Sequence, residues 1–208
     1  MPIFKHAGQL LFFAHVPKCA GTSIEDHLVR RFGPAAFLNR RHAPGNKHNW
    51  TRTSPQHLPA RQLALLFPDG FFDAGFAVVR DPVARVRSAF HYHQTKRGKI
   101  PAEETLETWL TRVRGFNDGE HARYDDHFRT QGAFVPEWCT IFHLEDGLDG
   151  LSAWLDDWAG PTTVAPIGRA LVGTYDSAPV DPDLAAMIRE HYADDYARFD
   201  RYRPSATT

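Results

Sequence analysis

Residues 10–32 read LLFFAHVPKCAGTSIEDHLVRRF, and the order of residue types in this stretch decides the fold class. Residues 10–16 form a compact aliphatic and aromatic run that stops at Pro17, the pattern of a strand buried on both faces. A tight turn follows at residues 17–23. Beyond it Ile24, His27, Leu28 and Arg31 recur on one helical face until Gly33-Pro34 ends the helix. The stretch is a strand, a tight loop and a helix.

The same order returns further along. Residues 76–79, FAVV, make a second buried strand; Asp81-Pro82 then places an N-cap and a proline at the first helical position, and Val83, Val86 and Phe90 share a face. Between the two units residues 33–54 are rich in Pro, Gly, Asn, Arg and His without a period of 2 or 3.6, so they read as a long loop, and residues 59–67 as a helix. Downstream the pattern predicts a helix over 105–113, a third strand over 138–144, a helix over 148–158, a Pro/Gly-rich connection over 160–182 and a last amphipathic helix over 183–199. Trp109, Trp154 and Trp158 fall on inward faces. Strands separated by helices imply parallel pairing: an α/β three-layer sandwich with a central parallel sheet, formed by residues 1–208 as one domain, which the family resemblance given below makes P-loop-like.

Composition narrows the function classes. With 42% apolar, 24% charged and 12% aromatic residues in 208, the chain is globular and large enough for a real core. Its 24 Lys+Arg nearly cancel 25 Asp+Glu, so nothing global favours nucleic acid, and any anion site is local. No run approaches the roughly 18 apolar residues of a membrane helix, and the N-terminus lacks the h-region of a signal peptide. Cys19 and Cys139 form no CxxC, which excludes a zinc ribbon or disulfide framework and suits a reducing cytoplasm.

The first turn carries the chemistry. Backbone N–H groups at a helix start bind anions through unpaired donors and the positive end of the helix dipole. Gly21 permits close approach, Thr22 and Ser23 add hydroxyls, and Lys18 adds a cation. The Walker A order is absent, because the lysine precedes the glycine by three positions. The alternative is an ordinary turn capped by Thr22 or Ser23, with Glu25 as an acidic residue of the first turn. At the second turn Arg80 stands at the carboxyl end of a buried strand, where α/β sheets bind ligands, and Ser88 follows eight positions on. Asp81 is read as a cap that also pairs with Arg85 at i,i+4.

His15-Val16-Pro17-Lys18-Cys19-Ala20-Gly21-Thr22-Ser23 resembles the 5′-phosphosulfate loop of sulfotransferases that use 3′-phosphoadenosine 5′-phosphosulfate (PAPS), and Val79-Arg80-Asp81-Pro82 through Ser88 resembles their 3′-phosphate motif. The similarity is to the branch containing heparan sulfate 2-O-sulfotransferase and short bacterial relatives. It extends to residues 53–58 and 188–199 and, more weakly, to 127–131 and 142–146. Cys19-Ala20 stands where many members carry Thr-Gly. Residues 160–182 match no pattern, and Arg169 is the one candidate there.

The resemblance implies PAPS as donor, PAP as product, a hydroxyl acceptor on a carbohydrate or small molecule, and no metal. It implies cofactor contacts from Lys18, Cys19, Ala20, Gly21, Thr22, Ser23, Arg80 and Ser88. It also implies a catalytic histidine between the two phosphate motifs, where His57, just ahead of a helix, and His48, in mid-loop, both lie. Trp50 is a candidate for stacking on a sugar, and Arg129 and Gln131 for contacting cofactor or acceptor. His91 and His93, about 200° apart on a helix, cannot share a metal. Two other classes stay open. One is a nucleotide phosphotransferase with Asp81 on magnesium, and the other is an anion-binding module without turnover.

Overall fold

The computed structural model describes residues 1–43, 46–168 and 180–199. Its sheet has four strands in the order β1 (Ile3–His6), β2 (Gln9–Ala14), β3 (Ala74–Val79) and β4 (Thr140–His143). β2, β3 and β4 are parallel, as the alternation of strands and helices requires, whereas β1 pairs antiparallel with β2. That edge hairpin turns on Ala7 and Gly8, both at positive φ (48° and 89°), as a two-residue hairpin demands. The result is an α/β sandwich on a mostly parallel sheet.

Each expected helix forms, with shifts at its ends. α1 (Gly21–Phe32) begins directly after the loop, α2 spans Ala60–Leu66, and α3 (Pro82–His91) is capped by Asp81, whose side chain accepts from Ala84 N. α4 (Leu106–Val113) is capped by Thr105, and a short α5 (Asp118–Arg123) follows under an Asn117/Glu120 capping box. α6 spans Asp149–Ala159. The last helix is two: α7 (Pro182–His191) and α8 (Ala193–Arg198), broken at Tyr192. The break follows from tertiary bonds, since Tyr192 Oη donates to Phe128 O and the Asp195 carboxylate accepts from the amides of Gln131 and Gly132.

The main core joins the strand residues Leu11, Phe12, Phe13, Phe76 and Val78 to Ile24 and Leu28 of α1 and Leu151 and Leu155 of α6. α1 and α6 lie side by side, with Arg31 donating to Leu155 O and Phe32 against Trp158. Trp109 is fully buried as its spacing predicts, but Trp154 and Trp158 are only half-buried at the margin of the core. Two smaller apolar clusters fix α3 against α4, α7 and the 124–128 segment, which sets the position of the site described next. No described helix is long and apolar enough to cross a membrane.

Candidate active site

The loop after β2 is bent by two non-glycine residues in the left-handed region, Lys18 (φ 69°) and Ala20 (φ 61°). Such residues cost about 1–2 kcal/mol each and persist where the surroundings hold them. Ala20 is the N-cap of α1 and offers no side-chain acceptor, so the capping role considered for Thr22 or Ser23 is not what is built; both lie inside the helix. The first turn carries no acid. The positive end of this twelve-residue helix therefore carries no side-chain cap from Ala20, and Lys18 belongs to the loop that leads into it.

Gly21 is needed for a reason beyond close approach to an anion. A Cβ there would lie 1.9 Å from His15 Nε2. Glu25 likewise acts away from the helix terminus: buried, it accepts from His15 Nδ1 at 2.6 Å. Burial lowers the His15 pKa to about 4, while the same hydrogen bond holds Glu25 below the usual carboxylate range against the upward push of burial. The pair is a neutral imidazole donating to an ionised carboxylate.

β2 and β3 run parallel with Ala14 opposite Ala77, so the loop after β2 and Arg80 after β3 emerge side by side. One carboxamide ties them together. Gln131 accepts from Arg80 N (2.9 Å), donates to Arg80 O (2.8 Å) and accepts from Cys19 Sγ (3.5 Å). Gln131 is fully buried, so it is not a surface residue, and these bonds hold the two loops together. Arg129 is engaged by Asp126 and Asp118, both at 2.7 Å. Burial pushes the Cys19 thiol up to about 12, which keeps it protonated.

Asp81 has both oxygens occupied, Oδ1 by Ala84 N and Oδ2 by Tyr196 Oη. Arg85 does not pair with it. The Arg85 side chain turns wholly inward and donates to the carbonyls of His127 and Arg129. Ser88 is buried in α3 and Arg80 is half-buried at its start. Arg169 lies outside the described residues.

His57 closes a short 3₁₀ turn, Pro55–His57, and is buried. Its Nδ1 lies 2.9 Å from Asp125 Oδ2. Asp125 also accepts from Ser54 N (2.6 Å) and Ser54 Oγ (2.8 Å). Burial pushes this carboxyl upward, but His57, His127 and the Ser54 amide outweigh it and hold Asp125 far below the usual range. His15 meets the other side of His57 edge-on, with ring centres 4.7 Å apart, and His127 meets it at 5.2 Å. His127 Nδ1 lies 3.0 Å from His93 Nε2. Burial first, and then neighbouring positive charge, lowers His93 to about 3 and holds His127 well below 6.5.

Lys18 reaches this cluster. Its Nζ sits 4.2 Å from the centre of the Tyr92 ring, which in turn lies 5.4 Å from His127. The donor atoms of His57, Asp125 and His127 all lie within 4.8 Å of one another, the arrangement among the described residues with the makings of a cation site. His48, by contrast, is exposed on the long loop, and none of its described contacts reaches His57, Asp125 or Lys18. Trp50 is 65% exposed and lines an open groove of about 620 Å³ with Asn46, Asn49, Arg52 and Arg123. The two chain segments bordering this groove run on into His57 and Asp125.

The profile described as Sulfotransferase family matches residues 3–135, well over half of the chain. The chain belongs to the sulfotransferase family. No curated protein matches it, and no solved structure does. The part of this sulfotransferase covered by the match holds the Lys18 loop, His57, Arg80, Asp125 and Gln131, and leaves α6 to α8 outside. Two residues of the candidate site escaped the sequence reading. Tyr92 opens a π-helical turn, Tyr92–Lys96, that no local signal announces, and Asp125 finds its partner 68 positions away.

Proposed function

We propose that this sulfotransferase transfers a sulfuryl group from PAPS to a hydroxyl of a saccharide acceptor. One observation carries the reading: at the carboxyl ends of β2 and β3 an uncapped helix start with a lysine stands beside a histidine whose Nδ1 is engaged by a carboxylate. The loop fits an anion on its own evidence, through left-handed backbone at Lys18 and Ala20 and a first turn free of acid.

Lys18 and the N–H groups of Gly21, Thr22 and Ser23 would hold the 5′-phosphosulfate, and Arg80 with Ser88 the 3′-phosphate. When bound, PAPS supplies a sulfuryl group already activated by its bond to phosphate. The protein then has little covalent chemistry to perform, and positioning plus charge stabilisation are its share. His57 takes the proton of the acceptor hydroxyl at Nε2, the nitrogen left over by the bond at Nδ1. Lys18 keeps its ammonium where negative charge gathers on the leaving phosphate. The groove with Trp50, Arg52 and Arg123 receives the acceptor, a sugar face stacking on the exposed indole. The engagement of Asp81 as the cap of α3 and as acceptor from Tyr196 Oη supports this reading over a phosphotransferase with Asp81 on magnesium.

The deciding experiment is transfer of ³⁵S from labelled PAPS to a panel of polysaccharides, oligosaccharides and simple alcohols. Label on a saccharide, lost in His57→Ala while PAP still raises Tm, is expected. Label on no acceptor, with PAP and 5′-AMP raising Tm equally, would count against it.

A further inference from the structure

The site contains two carboxylate–imidazole pairs, Glu25–His15 and Asp125–His57, with the two rings edge to face. They are not equivalent. His15 Nε2 lies against the backbone of Gly21, so close that a Cβ cannot enter. The chain on both sides of the His57–Asp125 pair leads to the open groove.

We propose that Asp125, itself held by Ser54, is the positioning residue that fixes His57 as the tautomer protonated on Nδ1 and sets its ring toward the acceptor. The inference rests on the reading of His57 as the base. An ionised carboxylate only accepts hydrogen bonds, so its partner nitrogen must carry the proton and the opposite nitrogen the lone pair. Asp125 is in that state, taking three hydrogen bonds from Ser54 N, Ser54 Oγ and His57 Nδ1. Its backbone shows what the placement demands: Asp125 (φ 56°) and Asp126 (φ 60°) are consecutive left-handed residues, neither of them glycine. Asp126 is tied down by Arg129, Arg129 by Asp118, and Asp118 by Arg61.

The same bonds argue against a resident cation in the cluster. Asp125 Oδ2 already serves His57 and Ser54, His127 Nδ1 serves His93, and Lys18 adds positive charge nearby. The groups facing His57 are Asp125, Asp126, Glu25, His15 and His127. Of these, the histidines are neutral, which leaves the carboxylates to stabilise an imidazolium when the proton arrives.

The experiment compares Asp125→Asn, Asp125→Glu and Ser54→Ala with the unaltered chain. We expect Asp125→Asn to lower kcat by roughly 10²–10³-fold with acceptor KM changed less than about threefold, and Ser54→Ala to lower it about tenfold. Asp125→Glu should recover part of the loss. ¹⁵N-histidine NMR should show His57 protonated on Nδ1 in the unaltered chain and redistributed in Asp125→Asn. Full kcat in Asp125→Asn, or an Nε2-protonated His57 in the unaltered chain, overturns the proposal. So does activity lost to a chelator and restored by Zn²⁺. If Asp125→Asn does not fold, Ser54→Ala with unchanged kcat and unchanged His57 spectrum overturns it as well. If the unaltered chain transfers no sulfate, it is the sulfotransferase mechanism that fails, and the NMR arm still decides the tautomer.

Discussion

Gln131 grips the peptide of Arg80 from both sides, its Nε2 on the carbonyl at 2.8 Å and its Oε1 on the amide at 2.9 Å. The residue at the end of β3 is thereby held in place by a side chain 51 positions away. Gln131→Ala leaves a half-buried donor and acceptor without partners, at about 1–3 kcal/mol in stability. PAP affinity should fall with it, whereas Gln131→Glu, which keeps the acceptor and loses the donor, should fall between. Urea unfolding and calorimetric titration with PAP measure the two effects; unchanged PAP affinity in Gln131→Ala would detach Arg80 from the donor site.

Lys18→Ala tests charge stabilisation. If the ammonium meets charge that appears only in the transition state, kcat should drop by roughly 10²–10³-fold while PAP binding weakens far less. A variant that binds PAP poorly but turns over normally at saturation would reduce Lys18 to a binding residue.

Positions 20 and 21 should respond in opposite directions to gaining or losing one methyl group. Ala20 sits in left-handed backbone, so Ala20→Gly should stabilise by about 0.5–1 kcal/mol. Gly21→Ala drives a methyl into the His15 ring, which Glu25 and His57 hemmed in, and should cost about 2–3 kcal/mol. Thermal melts of the two single variants read the signs directly.

Acid should unfold the protein early. His15, His93 and His121 are lowered to about 4, 3 and 4, mainly by burial, and His127 is also held low. Each is neutral when folded but takes a proton near pH 6.5 when unfolded. Stability is therefore fully present above pH 6.5 and falls as pH drops toward the folded values, by up to about 1.4 kcal/mol per pH unit for each histidine. Asp126 and Asp195, whose pKa burial raises, act in the opposite direction. Urea midpoints between pH 7.5 and 4.5 should fall steadily; a flat profile would mean that these histidines are charged in the folded state.

The parts of the fold that the sequence made legible are those written as continuous runs. Residues 10–14 and 76–79 are unbroken apolar stretches followed by turn chemistry, and both strands and both helices after them form. β1 escaped because its hairpin turns on Ala7-Gly8, which lacks the Asn-Gly or Asp-Gly signal. The final helix read as one because the bonds that split it, from Tyr192 and Asp195, are long-range. At the site, Lys18 and His57 stand in recognisable local contexts. Asp125 does not: in Tyr124-Asp125-Asp126-His127 only the acid doublet among aromatic and imidazole neighbours hints that a carboxylate is buried, and nothing local says which residue it serves. Arg85 shows the opposite failure, since a permitted i,i+4 pairing with Asp81 gave way to two carbonyls that a straight helix reading cannot see.

His15 fills the space that a side chain at position 21 would need, and the same ring stands edge-on behind His57. The floor of one compartment is thus the back wall of the next. If His57 is the base, the loop and the base are spaced by one aromatic ring that touches both. On the proposed reading, transplanting residues 17–23 into another scaffold would carry over the loop but not its spacing to His57, because that spacing is set by the imidazole of His15, just upstream of the transplanted segment.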